Sequence, residues 1–210
     1  MGLLFLRLLG WTLEGKLPEG TKAVVIAAPH TTNWDMPIML AVAYAHGINP
    51  SWLGKKELFR WPFGGFMRWL GGLPIDRGSR HNIVQQVVDV YGSSDRLYVV
   101  IPPSATRRRA SHWKSGFYHI ARGAGVPVMA TALDYRRKVG SIGPAFLPTG
   151  NLKADMDILR AFYAGIAGKF PELTTPVLLA EEADSGTPAE PAADRDAGAG
   201  ASPASPPVND

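Results

Sequence analysis

The chain has 210 residues, 46% of them apolar, which is enough for one domain with a core of its own. It contains no cysteine, which excludes a disulfide framework, a thiol nucleophile and a cysteine-based metal site. The net charge of +4 conceals an asymmetry: residues 1–180 carry 21 Lys and Arg against 11 Asp and Glu, a net of +10, whereas residues 181–210 carry one against seven, a net of −6. A basic body suits an acidic partner such as nucleic acid, a phosphorylated substrate, an acidic carrier protein or an anionic membrane.

Residues 1–11 (Met-Gly-Leu-Leu-Phe-Leu-Arg-Leu-Leu-Gly-Trp) are apolar except for Arg7. They are too few to span a bilayer, which takes about 20 apolar residues, and no small-residue cleavage site follows. Two readings stand: a short helix lying on a membrane surface, or a helix packed on the domain. Residues 1–22 are accordingly set apart as an apolar N-terminal segment, 23–180 as the domain and 181–210 as a tail.

Ala23 to Ala28 is an unbroken apolar run, the pattern of a strand covered on both faces. Pro29 ends ladder pairing, and His30 follows at the carboxyl end. Thr31-Thr32-Asn33 are helix-capping residue types and Pro37 fits a first helical turn, so a helix is expected to start between Asn33 and Met36 and to close at Gly47. Across such a turn Asp35 can reach one ring nitrogen of His30, leaving the other to take a proton. The spacing fits equally a satisfied loop histidine beside an ordinary capping aspartate.

A strand is expected at Ser51–Gly54. The segment from Lys55 to Leu70 interleaves aromatics with cations, a mixture suited to nucleic acid or to a membrane interface. No base-reading motif accompanies it, so no nucleic-acid partner is expected. Phe59, Trp61, Phe63, Phe66 and Trp69 are the candidate membrane contacts, on a protein bound peripherally to the cytoplasmic face. Gly71 to Arg77 reads as an extended piece delivering Asp76 and Arg77 to a loop. An Arg there suits bidentate grip of a phosphate, and an Asp–Arg surface pair is the plainer reading.

A helix over Ile83–Tyr91, a buried strand over Arg96–Ile101, a helix over Phe117–Ala124 and a strand beginning near Val126 follow. Asp134 to Pro148 reads as a strand pair turning at Arg137–Gly140, and Ala154 to Phe170 as a helix. From Glu181 the chain is Ala, Pro, Ser, Gly and acid without aromatics, a composition expected to stay disordered. Alternating strands and helices predict an α/β fold, a single domain with a central, mainly parallel or mixed sheet flanked by helices.

His30-Thr31-Thr32-Asn33-Trp34-Asp35 resembles the His-x4-Asp motif of the glycerolipid (lysophosphatidic acid) acyltransferase superfamily. The likeness extends to Ile75-Asp76-Arg77, to Pro103, Thr106 and Arg107 of the third block, to Lys114-Ser115-Gly116 and to the Val-Pro-apolar strand at Val126. Together the blocks cover residues 23 to about 150. Ser104 and Ala105 stand where that family has Glu and Gly, which takes a negative charge from the block and removes the freedom to adopt positive φ.

The resemblance implies transfer of a fatty acyl chain from a thioester, acyl-CoA or acyl carrier protein, to a hydroxyl of a lysophospholipid such as 1-acylglycerol-3-phosphate, with no cofactor and no metal. His30, oriented by Asp35, would be the general base. Arg77 and Arg107, with Asp76, Thr106 and Lys114, would bind substrate, and backbone N–H groups near Ala105 and Thr106 would face the oxyanion. Ser104 and Ser111 lie in no Gly-x-Ser-x-Gly elbow and are set aside as nucleophiles. The alternatives are a relative that binds anionic lipid without catalysis, an acyltransferase with another lipid acceptor, and a hydrolase in which His30 activates water.

Overall fold

A computed structural model of the chain describes residues 2–76, 78 and 80–184. Its strands are β1 (Thr12–Glu14), β2 (Lys22–Ala27), β3 (Pro50–Lys55), β4 (Gly72–Ile75), β5 (Leu97–Ile101), β6 (Val128–Asp134) and β7 (Val139–Phe146). Its α-helices are α1 (Gly2–Leu8), α2 (Asp35–Ala45), α3 (Gly64–Trp69), α4 (Arg80–Gly92), α5 (Gly116–Ala124), α6 (Leu152–Tyr163) and α7 (Ala180–Asp184). The strands form one sheet in the order β1-β7-β6-β2-β5-β3-β4. All neighbours pair parallel except β6 and β7, a hairpin. The expected α/β domain with a mainly parallel sheet is what forms.

The continuous apolar run of β2 places it at the centre, where neither face meets water. Val24 and Ile26 are fully buried on one face with residues of α4, α5 and α6, among them Tyr91, Phe117 and Leu159. Val25 packs on the other face with Tyr98 and Met129. Leu6 of α1 and Ile38 of α2 join Trp11 and Leu133 in a third cluster. The chain leaves β2 toward β3 and β5 on one side and returns as β6 on the other. Strand order therefore reverses at β2, and a crevice opens beyond its carboxyl end, where open α/β sheets carry their sites.

Several elements differ from expectation. β1, inside the segment set apart as 1–22, is the edge strand of the same sheet and pairs with β7. The hairpin turns at Tyr135–Lys138, two residues earlier than expected, because Lys138 takes the left-handed conformation (φ 53°) and β7 starts at Val139. The helix expected to reach Phe170 stops at Tyr163: Gly165 has φ 80°, and the chain then folds back, with the Phe170 N–H donating to Thr31 Oγ1 across 3.3 Å. At the C-terminus, α7 carries order to Asp184, past the expected boundary at 181, with Glu181 accepting from Ser115 and Glu182 paired with Arg160. The rest of the acidic tail, 185–210, lies outside the described residues.

Candidate active site

β2 ends at Ala27, and the seven residues between it and α2 form a tight loop around one carboxylate. Asp35 opens α2, and its side chain reaches back instead of outward. Its Oδ2 lies 3.0 Å from His30 Nδ1 and accepts the backbone N–H groups of Thr31 and Thr32 at 2.9 and 3.0 Å. Its Oδ1 accepts the Tyr135 hydroxyl at 2.7 Å. Burial pushes this carboxyl upward in pKa, and the four hydrogen bonds more than offset that, holding it below the usual carboxylate value. An ionised Asp35 only accepts, so Nδ1 of His30 carries the hydrogen and Nε2 is the basic nitrogen. No partner for Nε2 is found among the described residues. The sequence-predicted pair is therefore in contact.

The third block follows β5. Pro102 accepts from the Ala105 N–H at 3.0 Å, closing a turn in which Ala105 has φ 55°. The left-handed conformation that glycine favours is thus adopted by alanine, at a cost of about 1–2 kcal/mol. Ser104, buried, turns its hydroxyl inward and donates to the Thr106 carbonyl at 2.8 Å. Of the two expected oxyanion donors, the Ala105 N–H is committed to Pro102. No acceptor for the Thr106 N–H is found among the described residues.

Two large cavities and a small one of about 50 Å³ meet at His30. One, about 480 Å³, runs under the sheet's carboxyl edge and is lined by apolar side chains including Met36, Met39, Trp52, Leu53, Ile75 and Leu133. Its volume falls in the range of small-ligand pockets. The other, about 560 Å³, is polar, with Thr31, Thr32, Asn33, Thr106, Arg107 and Arg108 on its walls. His30, Pro102 and Ala105 line both. Neither Arg107 nor Arg108 has a carboxylate partner among the described residues. Their charge is available to an anion, beside a histidine with one free nitrogen.

The structure brings together His30, Asp35, Thr106 and Arg107, and separates other candidates from them. Arg77 lies outside the described residues. Asp76 folds its carboxylate onto the Gly78 N–H at 2.9 Å, and its backbone pairs with the Gln86 amide, so it shapes the turn after β4 and lines neither cavity. Lys114 is exposed and lines neither cavity; its N–H holds the Pro103 carbonyl at 2.8 Å. Among the candidate membrane contacts, Trp61, Phe63, Phe66 and Trp69 are exposed, and Trp61 is 93% so. Phe59 is buried at 7%, packed on Trp52 and beneath the Arg68 guanidinium. Its position in a short 3-10 turn (Lys56–Phe59) aims it at the sheet, so it contacts the core and not a membrane.

Sequence reasoning missed Tyr135 as a ligand of Asp35, 100 positions away. Only the strand pairing that folds β6 beside β2 brings them together, and no local spacing encodes that. It also missed the segment after α6, where Lys169 sits over the rings of Trp34 and Phe170 at 5.8 and 5.9 Å and Leu173 closes one wall of the polar cleft. No described helix is long and apolar enough to cross a membrane.

A sequence-family model described as Acyltransferase matches residues 12–134. The chain is 30% identical over 132 residues to the 1-acyl-sn-glycerol-3-phosphate acyltransferase of Haemophilus influenzae, a match covering 58% of this chain and 53% of that protein. It is 31% identical over 137 residues to the Escherichia coli protein of the same name, covering 60% and 54%. The chain spans about half the length of these curated relatives. Among solved structures it is similar to the 1-acyl-sn-glycerophosphate (LPA) acyltransferase PlsC of Thermotoga maritima, with a TM-score of 0.56 over 79% of this chain and 75% of that one. At 18% identity that likeness speaks to the fold.

Proposed function

Because the chain belongs to the acyltransferase family, we propose that it moves a fatty acyl chain from an acyl thioester, acyl-CoA or acyl carrier protein, to a hydroxyl of a lysophospholipid such as 1-acylglycerol-3-phosphate. The observation that carries this reading is the meeting of an apolar cavity and an arginine-lined polar cleft at His30, whose Nε2 has no partner among the described residues. An acyl chain suits the first and an anionic headgroup the second.

His30 Nε2 takes the proton of the acceptor hydroxyl as its oxygen attacks the thioester carbonyl. The new C–O bond forms, the carbonyl becomes an oxyanion near the Thr106 N–H, and the C–S bond then breaks. The departing thiolate receives the proton from the imidazolium, which Asp35 stabilises. General-base assistance of this kind contributes about 10²–10⁴-fold. Arg107 and Arg108 hold the anionic group of the acceptor, Arg107 as the residue shared with the family block. The chemistry needs neither a metal nor a covalent enzyme intermediate.

Ser104 favours a narrower second reading, in which the reaction is kept and the acceptor differs. Its hydroxyl is turned inward, so the block offers the polar cleft no carboxylate where the family has one. For membrane access, Trp61, Phe63, Phe66 and Trp69 form an exposed apolar surface beside Lys56, Arg60 and Arg68, a composition suited to peripheral attachment at the headgroup level.

The test is product analysis with radiolabelled acyl-CoA and acyl carrier protein against a panel of lysolipids in detergent micelles. Acylated lysophosphatidic acid supports the first reading, and another acylated lysolipid supports the second. Free fatty acid as the sole product identifies a hydrolase and overturns both.

A further inference from the structure

We infer that Tyr135 is a positioning residue for the His30–Asp35 pair, acting through the carboxylate and itself held in place by Trp11. The inference rests on the proposed acyl transfer for its kinetic consequence, but its geometric basis is separate.

The carboxylate of Asp35 has an unequal set of partners. Oδ2 serves His30 Nδ1 and the N–H groups of Thr31 and Thr32, all from the loop it braces. Rotation about the terminal torsion of an aspartate is soft, and three donors gathered on one oxygen leave the carboxylate plane able to turn about it. The Tyr135 hydroxyl, donating to Oδ1 at 2.7 Å, fixes that plane from the other oxygen with a short, charge-assisted bond. Burial, together with the Asp35 carboxylate beside it, raises the Tyr135 hydroxyl's pKa above its ordinary value, so it remains a donor throughout the working pH range.

Tyr135 is in turn constrained from two sides. Its N–H donates to the Ala167 carbonyl at 2.9 Å. Its ring stands edge-to-face with that of Trp11, centroids 5.0 Å apart at 89°, and Trp11 is buried with Leu6 of α1 and Ile38 of α2. The phenol lines neither cavity. It therefore has no route to the acceptor hydroxyl and acts through Asp35. The chain Trp11, Tyr135, Asp35, His30 ties the apolar N-terminal segment to the basic nitrogen.

Tyr135→Phe removes the donor and keeps the ring. The experiment measures acyl transfer by the wild type, Tyr135→Phe, Asp35→Asn and the double variant, alongside the His30 tautomer by ¹⁵N NMR of histidine-labelled protein. Expected is a loss in kcat of about 10- to 100-fold for Tyr135→Phe, the range of a hydrogen bond to a charged group, with KM for either substrate changed by less than about twofold. In the Asp35→Asn background the same change costs nothing further. In the NMR experiment the wild type holds hydrogen on Nδ1; Tyr135→Phe keeps it there, because the ionised Asp35 still only accepts, but shifts the Nδ1 resonance as the bond to Asp35 loosens. An unchanged Nδ1 resonance, or an equal kinetic loss in the Asp35→Asn background, overturns the inference. Absence of transfer by the wild type defeats the proposed function alone, since the Nδ1 resonance still decides the role of Tyr135.

Discussion

Gly168 lies against Thr31: a methyl group placed on its Cα would come within 2.9 Å of both Cγ2 and Oγ1 of that threonine. Thr31 is 3% exposed and β-branched, so it has little room to yield. Its N–H is one of the donors to Asp35 Oδ2. Gly168→Ala is expected to destabilise the protein by about 1–3 kcal/mol and to lower acyl transfer by disturbing the loop that carries His30. Gly165→Ala, at φ 80° with open space around it, strains the backbone but leaves Thr31 in place. Urea midpoints and kcat for both variants check this: the two should lose comparable stability, and Gly168→Ala should lose more activity.

Ala105 carries a left-handed backbone with a Cβ it does not need there. Ala105→Gly relieves about 1–2 kcal/mol of local strain and gives back about 0.5–1 kcal/mol through the freer unfolded chain. The expected outcome is a net stabilisation of up to about 1.5 kcal/mol, read as a higher melting temperature. A lower melting temperature would contradict the turn geometry described for Pro102 to Thr106.

The lowered pKa of Asp35 has a definite sign in stability. A carboxylate favoured in the folded state contributes wherever the pH exceeds its unfolded value, about 3.9, and that contribution is lost as the pH falls through the lower folded value. Asp35→Asn is therefore expected to be less stable than wild type at pH 7, with the gap narrowing as the pH falls below about 4. Denaturation midpoints across that range check it. A gap independent of pH would mean that the charge of Asp35 contributes nothing to folding.

Phe59 and Trp61 are two residues apart and opposite in role. Phe59→Ala is expected to cost about 3–5 kcal/mol, as for a buried aromatic. Trp61→Ser should change stability by less than about 0.5 kcal/mol while weakening sedimentation with anionic lipid vesicles. Vesicle binding unchanged in a Trp61→Ser, Trp69→Ser double variant would remove this face as the site of membrane contact.

The legible parts of this protein are those written in consecutive residues. β2 announces itself by an unbroken apolar run, and His30 and Asp35 meet because five residues and a turn suffice to join them. The third block is legible for the same reason. Tyr135 is not legible locally, because its partnership with Asp35 depends on β6 packing beside β2. Phe59 departs from expectation because an aromatic-basic run has no period that separates the ring facing the sheet from those facing outward. β1 is three residues long, too short to give a pattern. α6 is shorter than its sequence suggests: apolar residues continue past Gly165, but positive φ there ends the helix regardless of composition.

His30 is the proposed general base. It is tested most directly by the kcat for acyl transfer from acyl-CoA to lysophosphatidic acid by purified wild type and His30→Ala, each confirmed folded by its melting curve. The wild type is expected to transfer, and His30→Ala to lose about 10²–10⁴-fold in kcat while still binding lysophosphatidic acid. Transfer at the wild-type rate by His30→Ala, or its absence from both proteins with lysolipid bound equally, would contradict the claim; the latter would leave a lipid-binding relative without catalysis.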